Sequence, residues 1–174
     1  MKTVSAVIFI LFFGFCSSFV YAQEDHWALG ANLNYDFQTN GLGAGLRAYI
    51  PVRGNLALSP QFSYFFPFNT ITEYYAGAAF QYDLLPKRRW TIYPLLAAYY
   101  DRWINAADFT GPVAKPNNFA VETGLGLMKG YGCLRPFAEI RYDFKWSEFN
   151  AQAGLLFFFG DCFKHAQDVC PAYF

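Results

Sequence analysis

Period-2 alternation of apolar and small or polar residues runs through almost the whole chain after residue 25, and a chain with that pattern folds as strands. Residues 26–37 set Trp27, Leu29, Ala31, Leu33, Tyr35 and Phe37 against Ala28, Gly30, Asn32, Asn34 and Asp36. The same pattern marks seven further segments: 42–52, 56–66, 74–84, 90–102, 119–128, 134–145 and 149–159. In 134–145, Leu134, Ala138, Ile140, Tyr142 and Phe144 alternate with Arg135, Glu139, Arg141 and Asp143. Segment 90–102 is the least clear, because Tyr93, Leu95 and Tyr99 make both of its faces apolar. Each segment is about as long as a tilted strand must be to cross a bilayer, roughly 9–11 residues.

The connections alternate in kind. Residues 51–55, 85–89 and 129–133 are short turns on one side. On the other side lie 38–41, 67–73, 103–118 and 145–148, of which only 103–118 is long. Asn40-Gly41 supplies a residue pair suited to positive φ in a hairpin.

Residues 1–22 read as a cleaved secretory leader. Lys2 is its positive region, 6–15 its apolar run, and Val20-Tyr21-Ala22 its exit motif before Gln23. Cys16 follows Phe15, where lipidation wants a small residue, so no lipid anchor is expected. Beyond the leader no apolar run approaches the ~18 residues of a spanning helix. The longest, 92–100, contains Pro94. The expected organisation is a leader at 1–22, one β-barrel domain at 23–160 and a periplasmic C-terminal tail at 161–174.

Two all-β architectures fit the alternation. A lipocalin-like barrel keeps its apolar face inside, whereas a transmembrane barrel turns that face to lipid. Composition favours the second. Aromatic residues make up 22% of the chain, with 21 Phe and 13 Tyr, while charged residues reach only 15%. A water-facing surface carries about 25–35% charged residues. The non-apolar face is instead rich in Gly, Ala, Ser, Asn and Gln, which suit the narrow lumen of an eight-stranded barrel. Phe37, Phe66, Tyr74, Tyr100, Phe119, Phe144 and Phe149 fall at the strand ends on the long-loop side, and Trp27, Trp90 and Phe159 at the opposite ends. Two aromatic belts are what the two membrane interfaces select. The fold expected is therefore an all-β, eight-stranded, antiparallel up-and-down transmembrane β-barrel.

Few charges lie on the inner face, and buried charges must be paired. A turn at 129–132 places Glu122 beside Glu139 and Arg141, and the Asn40-Gly41 turn places Arg47 near Asn32 and Asn34. The expected polar lumen network is Asn32, Asn34, Arg47, Glu122, Glu139 and Arg141. A solvated surface ladder is the alternative. Because eight-stranded lumens are filled by side chains, the network is read as a plug in preference to a binding or catalytic centre.

These features resemble the small outer-membrane β-barrels of the OmpA/OmpX type. The resemblance rests on the leader, the eight alternating strands, the short turns on one side, Phe157-Phe158-Phe159 closing the last strand, and Gly-x-Gly strands such as Gly43–Gly45 and Gly124–Gly126. It covers roughly 23–160. It implies residence in the Gram-negative outer membrane as a monomer, with outer-membrane lipid and lipopolysaccharide and the barrel-assembly machinery as partners. The chain departs from the pattern in its extra tail and in Pro60 and Pro94, each of which removes a ladder hydrogen bond.

Export permits disulfides. Cys133, Cys162 and Cys170 remain after the leader. If the last hairpin pairs Phe144 with Ala151, Tyr142 with Ala153 and Ile140 with Leu155, Cys133 faces Cys162 at the periplasmic rim. That disulfide is the leading expectation, with Cys162–Cys170 and free thiols as alternatives. Cys162, His165 and Cys170 lack the paired motif of a metal site, and no metal or cofactor is expected.

Some eight-stranded outer-membrane barrels modify lipid A. Here only His26 and His165 are present, no His-x-Ser lies on a strand, and no Gly-x-Ser-x-Gly elbow exists. The expected role is structural or interaction-related, and the alternatives are a lipid-modifying enzyme and a secreted lipocalin-like binder. A net charge of zero argues against a nucleic-acid partner. Trp103, Ile104, Phe109 and Val113 in 103–118 are the candidate contacts for an extracellular partner, unless that loop folds back on the rim.

Overall fold

A computed structural model describes residues 26–66, 72–85, 89–104 and 116–160. The leader, the tail with Cys162, His165 and Cys170, and the loop positions Phe109 and Val113 lie outside the described residues.

Eight antiparallel strands close into a barrel in chain order: β1 (Ala28–Asp36), β2 (Gly41–Arg53), β3 (Leu56–Phe65), β4 (Thr72–Tyr82), β5 (Trp90–Ile104), β6 (Asn117–Lys129), β7 (Leu134–Asp143) and β8 (Glu148–Phe158). The seam is β1 on β8, running from Ala28 opposite Phe158 to Asp36 opposite Asn150. Closure leaves no free sheet edge, which is the condition for a sheet to stand in hydrocarbon. The end where β1 begins and β8 finishes is called the lower end, and the opposite end the upper.

The alternation resolves into an apolar outside and a mostly polar inside. Leu46 is 67% exposed and its neighbour Arg47 only 2%. Leu33, Leu125, Phe119 and Ile140 join Leu46 on the outside. This inverts the arrangement of a lipocalin-like barrel, which would bury these side chains. In β5 the inward residues are Tyr93, Leu95, Ala97, Tyr99 and Asp101. Its two apolar faces are therefore one lipid face and one stretch of lumen lining. At the lower end the lumen is filled by apolar side chains, among them Tyr49, Met128, Phe137, Leu156 and Phe158.

The prolines sit where ladders end or break. Pro60 keeps its place opposite Ala78 in β4, while the ladder to β2 skips from Arg47–Gln61 to Ile50–Leu58. Pro94 pairs with Leu125 in β6, and the β4 ladder stops one residue away at Gln81–Leu95. Neither strand is displaced by its proline.

Two registers differ from the sequence expectation. In the last hairpin Tyr142 faces Phe149 and Ile140 faces Ala151, so the turn is 144–147 and not 145–148. The cause is local. The Asp143 Oδ1 accepts the amide hydrogens of Lys145 at 2.6 Å and Trp146 at 3.0 Å, and Ser147 takes a left-handed φ of 53°. A side chain that caps its own turn holds a tight reversal. Cys133 consequently stands across from Phe158, whose amide donates to the Cys133 carbonyl at 2.7 Å. Cys133 is itself disulfide-bonded, and Cys162 lies outside the described residues. In the β6–β7 pair, Glu122 faces Asp143 and Glu139 faces Gly126, so Glu122 and Glu139 are not side by side.

Candidate functional site in the barrel lumen

The middle of the lumen holds a charge cluster built from β2, β6 and β7. Arg47 Nη1 donates to Glu139 Oε1 at 2.5 Å, and its Nη2 donates to Gln81 Oε1 at 2.8 Å. Arg141 Nε donates to Glu139 Oε2 at 2.8 Å, and its Nη2 donates to the same oxygen. Arg141 also reaches Glu122 Oε2 at 3.3 Å, Gln61 Oε1 at 3.2 Å and the Tyr99 hydroxyl. The Tyr93 hydroxyl donates to Glu139 Oε1 at 2.6 Å, and Asn150 Nδ2 donates to Glu122 Oε1 at 2.9 Å. Two arginines face two glutamates, so the cluster is neutral when all four are ionised. All four are at most 5% exposed, and such desolvated charges are tolerable only when paired.

Glycines make the room. Gly124 stands opposite Arg141 and Gly126 opposite Glu139, while at Gly30 the β8 backbone at Leu155 occupies the place of a side chain. At Gly126 the Tyr93 ring occupies the missing side chain's place, and a Cβ there would lie 2.3 Å from two ring carbons. Gly124 and Gly126 are therefore the complement of the Arg141 and Tyr93 side chains.

The structure thus joins Arg47, Glu122, Glu139 and Arg141. Asn32 and Asn34 bond one another at 2.8 Å and do not pair with Arg47, which crosses the lumen to Glu139. Gln61, Gln81, Tyr93, Tyr99 and Asn150 complete the cluster beyond the six residues expected from the sequence. Parity was the available signal: Tyr93 and Tyr99 share it with the charged Asp101 in β5. Trp103 turns inward and stacks on Trp146 with centroids 5.3 Å apart, while Ile104 is 41% exposed.

Above the cluster lies a small void lined by Asn34, Asp36, Gln61, Ser63, Tyr75, Glu122 and Gln152, among others, with room for about one water molecule. Among the described residues no three His, Cys, Asp or Glu side chains converge to hold a metal ion. The cluster's chemistry is electrostatic cross-linking. It ties β2 to β6 and β7 across the lumen, above the apolar fill of the lower end.

Similar folds are found among solved structures. The N-terminal β-barrel domain of Pseudomonas aeruginosa OprF superposes with a TM-score of 0.55 at 11% identity, over 76% of this chain and 96% of that one. Neisserial surface protein A gives 0.53 at 13% identity, over 78% and 97%. A de novo designed transmembrane β-barrel gives 0.52 at 13% identity, over 78% and 97%. The fold is that of an eight-stranded transmembrane β-barrel. It is the architecture that the resemblance to the OmpA/OmpX type implies, and at these identities the likeness speaks to fold alone. No family model and no curated protein matches the chain.

Proposed function

We propose that this chain is an integral outer-membrane β-barrel with a structural or interaction role and a lumen that serves as a plug. The observation that carries the reading is the continuous coat of large apolar side chains around a closed barrel whose interior is filled. Trp27, Trp90, Phe37, Phe119, Phe144 and Phe149 stand 45–62% exposed at its two ends, as interfacial belts do. A coat of this extent has no soluble counterpart, since exposed apolar patches on monomers rarely exceed a few hundred Å².

A non-catalytic role is supported by the pairing of the lumen acids. Glu139 is held by two arginines and Tyr93, and Glu122 by Arg141 and Asn150. Outer-membrane lipid, lipopolysaccharide and the barrel-assembly machinery are the partners of such a barrel. An extracellular partner would meet Ile104 and the loop that follows it, and Trp103 is already committed to Trp146.

Refolding the full chain in detergent tests this reading. The folded form is expected to migrate faster on an unheated denaturing gel and to shift on boiling. A chain that is soluble and folded without detergent would refute it.

A further inference from the structure

Two polar side chains in the lumen are buried without a partner. Gln152 on β8 is 3% exposed, and Ser63 on β3 is fully buried. Among the described residues, neither Nε2 nor Oε1 of Gln152 has a hydrogen-bond partner, and the Ser63 Oγ has none. Ser63 reaches inward over a glycine: a Cβ on Gly45, its neighbour in β2, would lie 2.4 Å from the Ser63 Oγ. Gln152 stands between Asn34 of β1 and Glu139 of β7. The Asn34 Oδ1 already accepts from Asn32, and both Glu139 oxygens accept from arginines. A buried amide or hydroxyl left unpaired is costly, and native chains seldom leave one so.

Both side chains line the void above the charge cluster. Its size, its charge and its open hydrogen-bonding atoms each restrict what it can hold. Room for about one water molecule excludes any larger ligand. The wall carries both signs of charge, with Arg141 on one part and Glu122 and Asp36 on others. A bare cation would meet the guanidinium and a bare anion the carboxylates, so a neutral dipole suits the wall best. The unpaired atoms are an amide donor, an amide acceptor and a hydroxyl that serves as either. A water molecule both donates and accepts, and it is stable in a polar site that gives it two or more partners.

We propose that this void is a binding site for one ordered water, which bridges the Gln152 amide to the Ser63 hydroxyl. β3 and β8 share no ladder. The bridge therefore braces the barrel across its lumen, in the layer above the contact of Arg47 with Glu139. A solvent molecule is then a working part of the plug, beside the side chains that fill it. The site depends on the closed barrel and not on what surrounds it, so it can fail while the membrane reading stands.

The test is a crystal structure of the detergent-refolded full chain at a resolution that shows ordered water. A single density peak is expected within about 2.7–3.2 Å of both the Ser63 Oγ and a Gln152 amide atom. Crystals soaked in rubidium salt or in bromide salt are expected to show no anomalous signal there. An unfilled void between ordered side chains, a direct bond from Ser63 to Gln152, or an anomalous peak would overturn the proposal. In solution, Ser63→Ala and Gln152→Met form a double-mutant cycle read by urea unfolding. Removing either group strands the water's other contact, so the double variant is expected to fold with an equilibrium constant about fivefold above the product of the single effects. Independent effects would overturn the bridge. The crystal needs no substitution and decides the question if Gln152→Met fails to fold.

Discussion

Arg47 on β2 and Glu139 on β7 meet at 2.5 Å across the lumen, joining two strands that share no ladder. Glu139 simultaneously accepts from Arg141 and Tyr93. Its single carboxylate therefore offsets two guanidinium groups in the middle of the barrel. Glu139→Gln leaves those cations under-compensated and is expected to cost about 3–5 kcal/mol. Tyr93→Phe removes one hydroxyl and is expected to cost about 1 kcal/mol. Urea unfolding of the refolded barrel measures both, and equal losses for the two variants would contradict the central place given to Glu139.

Gly126 and Tyr93 form a second coupled pair. A methyl group at Gly126 collides with the Tyr93 ring and pushes its hydroxyl from Glu139. Gly126→Ala is expected to destabilise the barrel by about 1–3 kcal/mol. In a Tyr93→Ala background most of that penalty disappears, so a double-mutant cycle reads a coupling energy. Additive losses would show that the ring does not occupy the glycine's space.

Ser147 holds a left-handed backbone at φ 53° in the last turn. Glycine adopts this region without the Cβ penalty. Ser147→Gly is expected to stabilise the barrel by about 1 kcal/mol, read as a higher urea midpoint. A lower midpoint would place the serine side chain in a role that the turn geometry does not include.

Cys133 is disulfide-bonded and stands opposite Phe158, four residues short of Cys162. Non-reducing peptide mapping is expected to yield a peptide joining Cys133 to Cys162. A Cys162–Cys170 peptide with Cys133 free would contradict it.

The eight strands were legible because alternation reports the face of every residue, and the observed limits lie within two residues of the expected ones. Registers were less legible. They depend on turn geometry, and the Asp143 side chain tightened the last turn in a way that composition does not express. The charge cluster was half legible: Arg47, Glu122, Glu139 and Arg141 stand out as rare charges on one face. Their partners were obscured in β5, where Tyr93 and Tyr99 look like lipid-facing residues until Asp101 marks the inner parity. The role of Gly124 and Gly126 appears only when the register sets them beside Arg141 and the Tyr93 ring.

The most direct test of the central claim, that the apolar face meets lipid, is nitroxide accessibility in lipid vesicles. Spin labels at Leu33, Leu46 and Leu125, all more than half exposed on the outer wall, are predicted to be accessible to oxygen and shielded from a water-soluble nickel chelate. High accessibility to the chelate at these positions, with low accessibility to oxygen, would contradict the account.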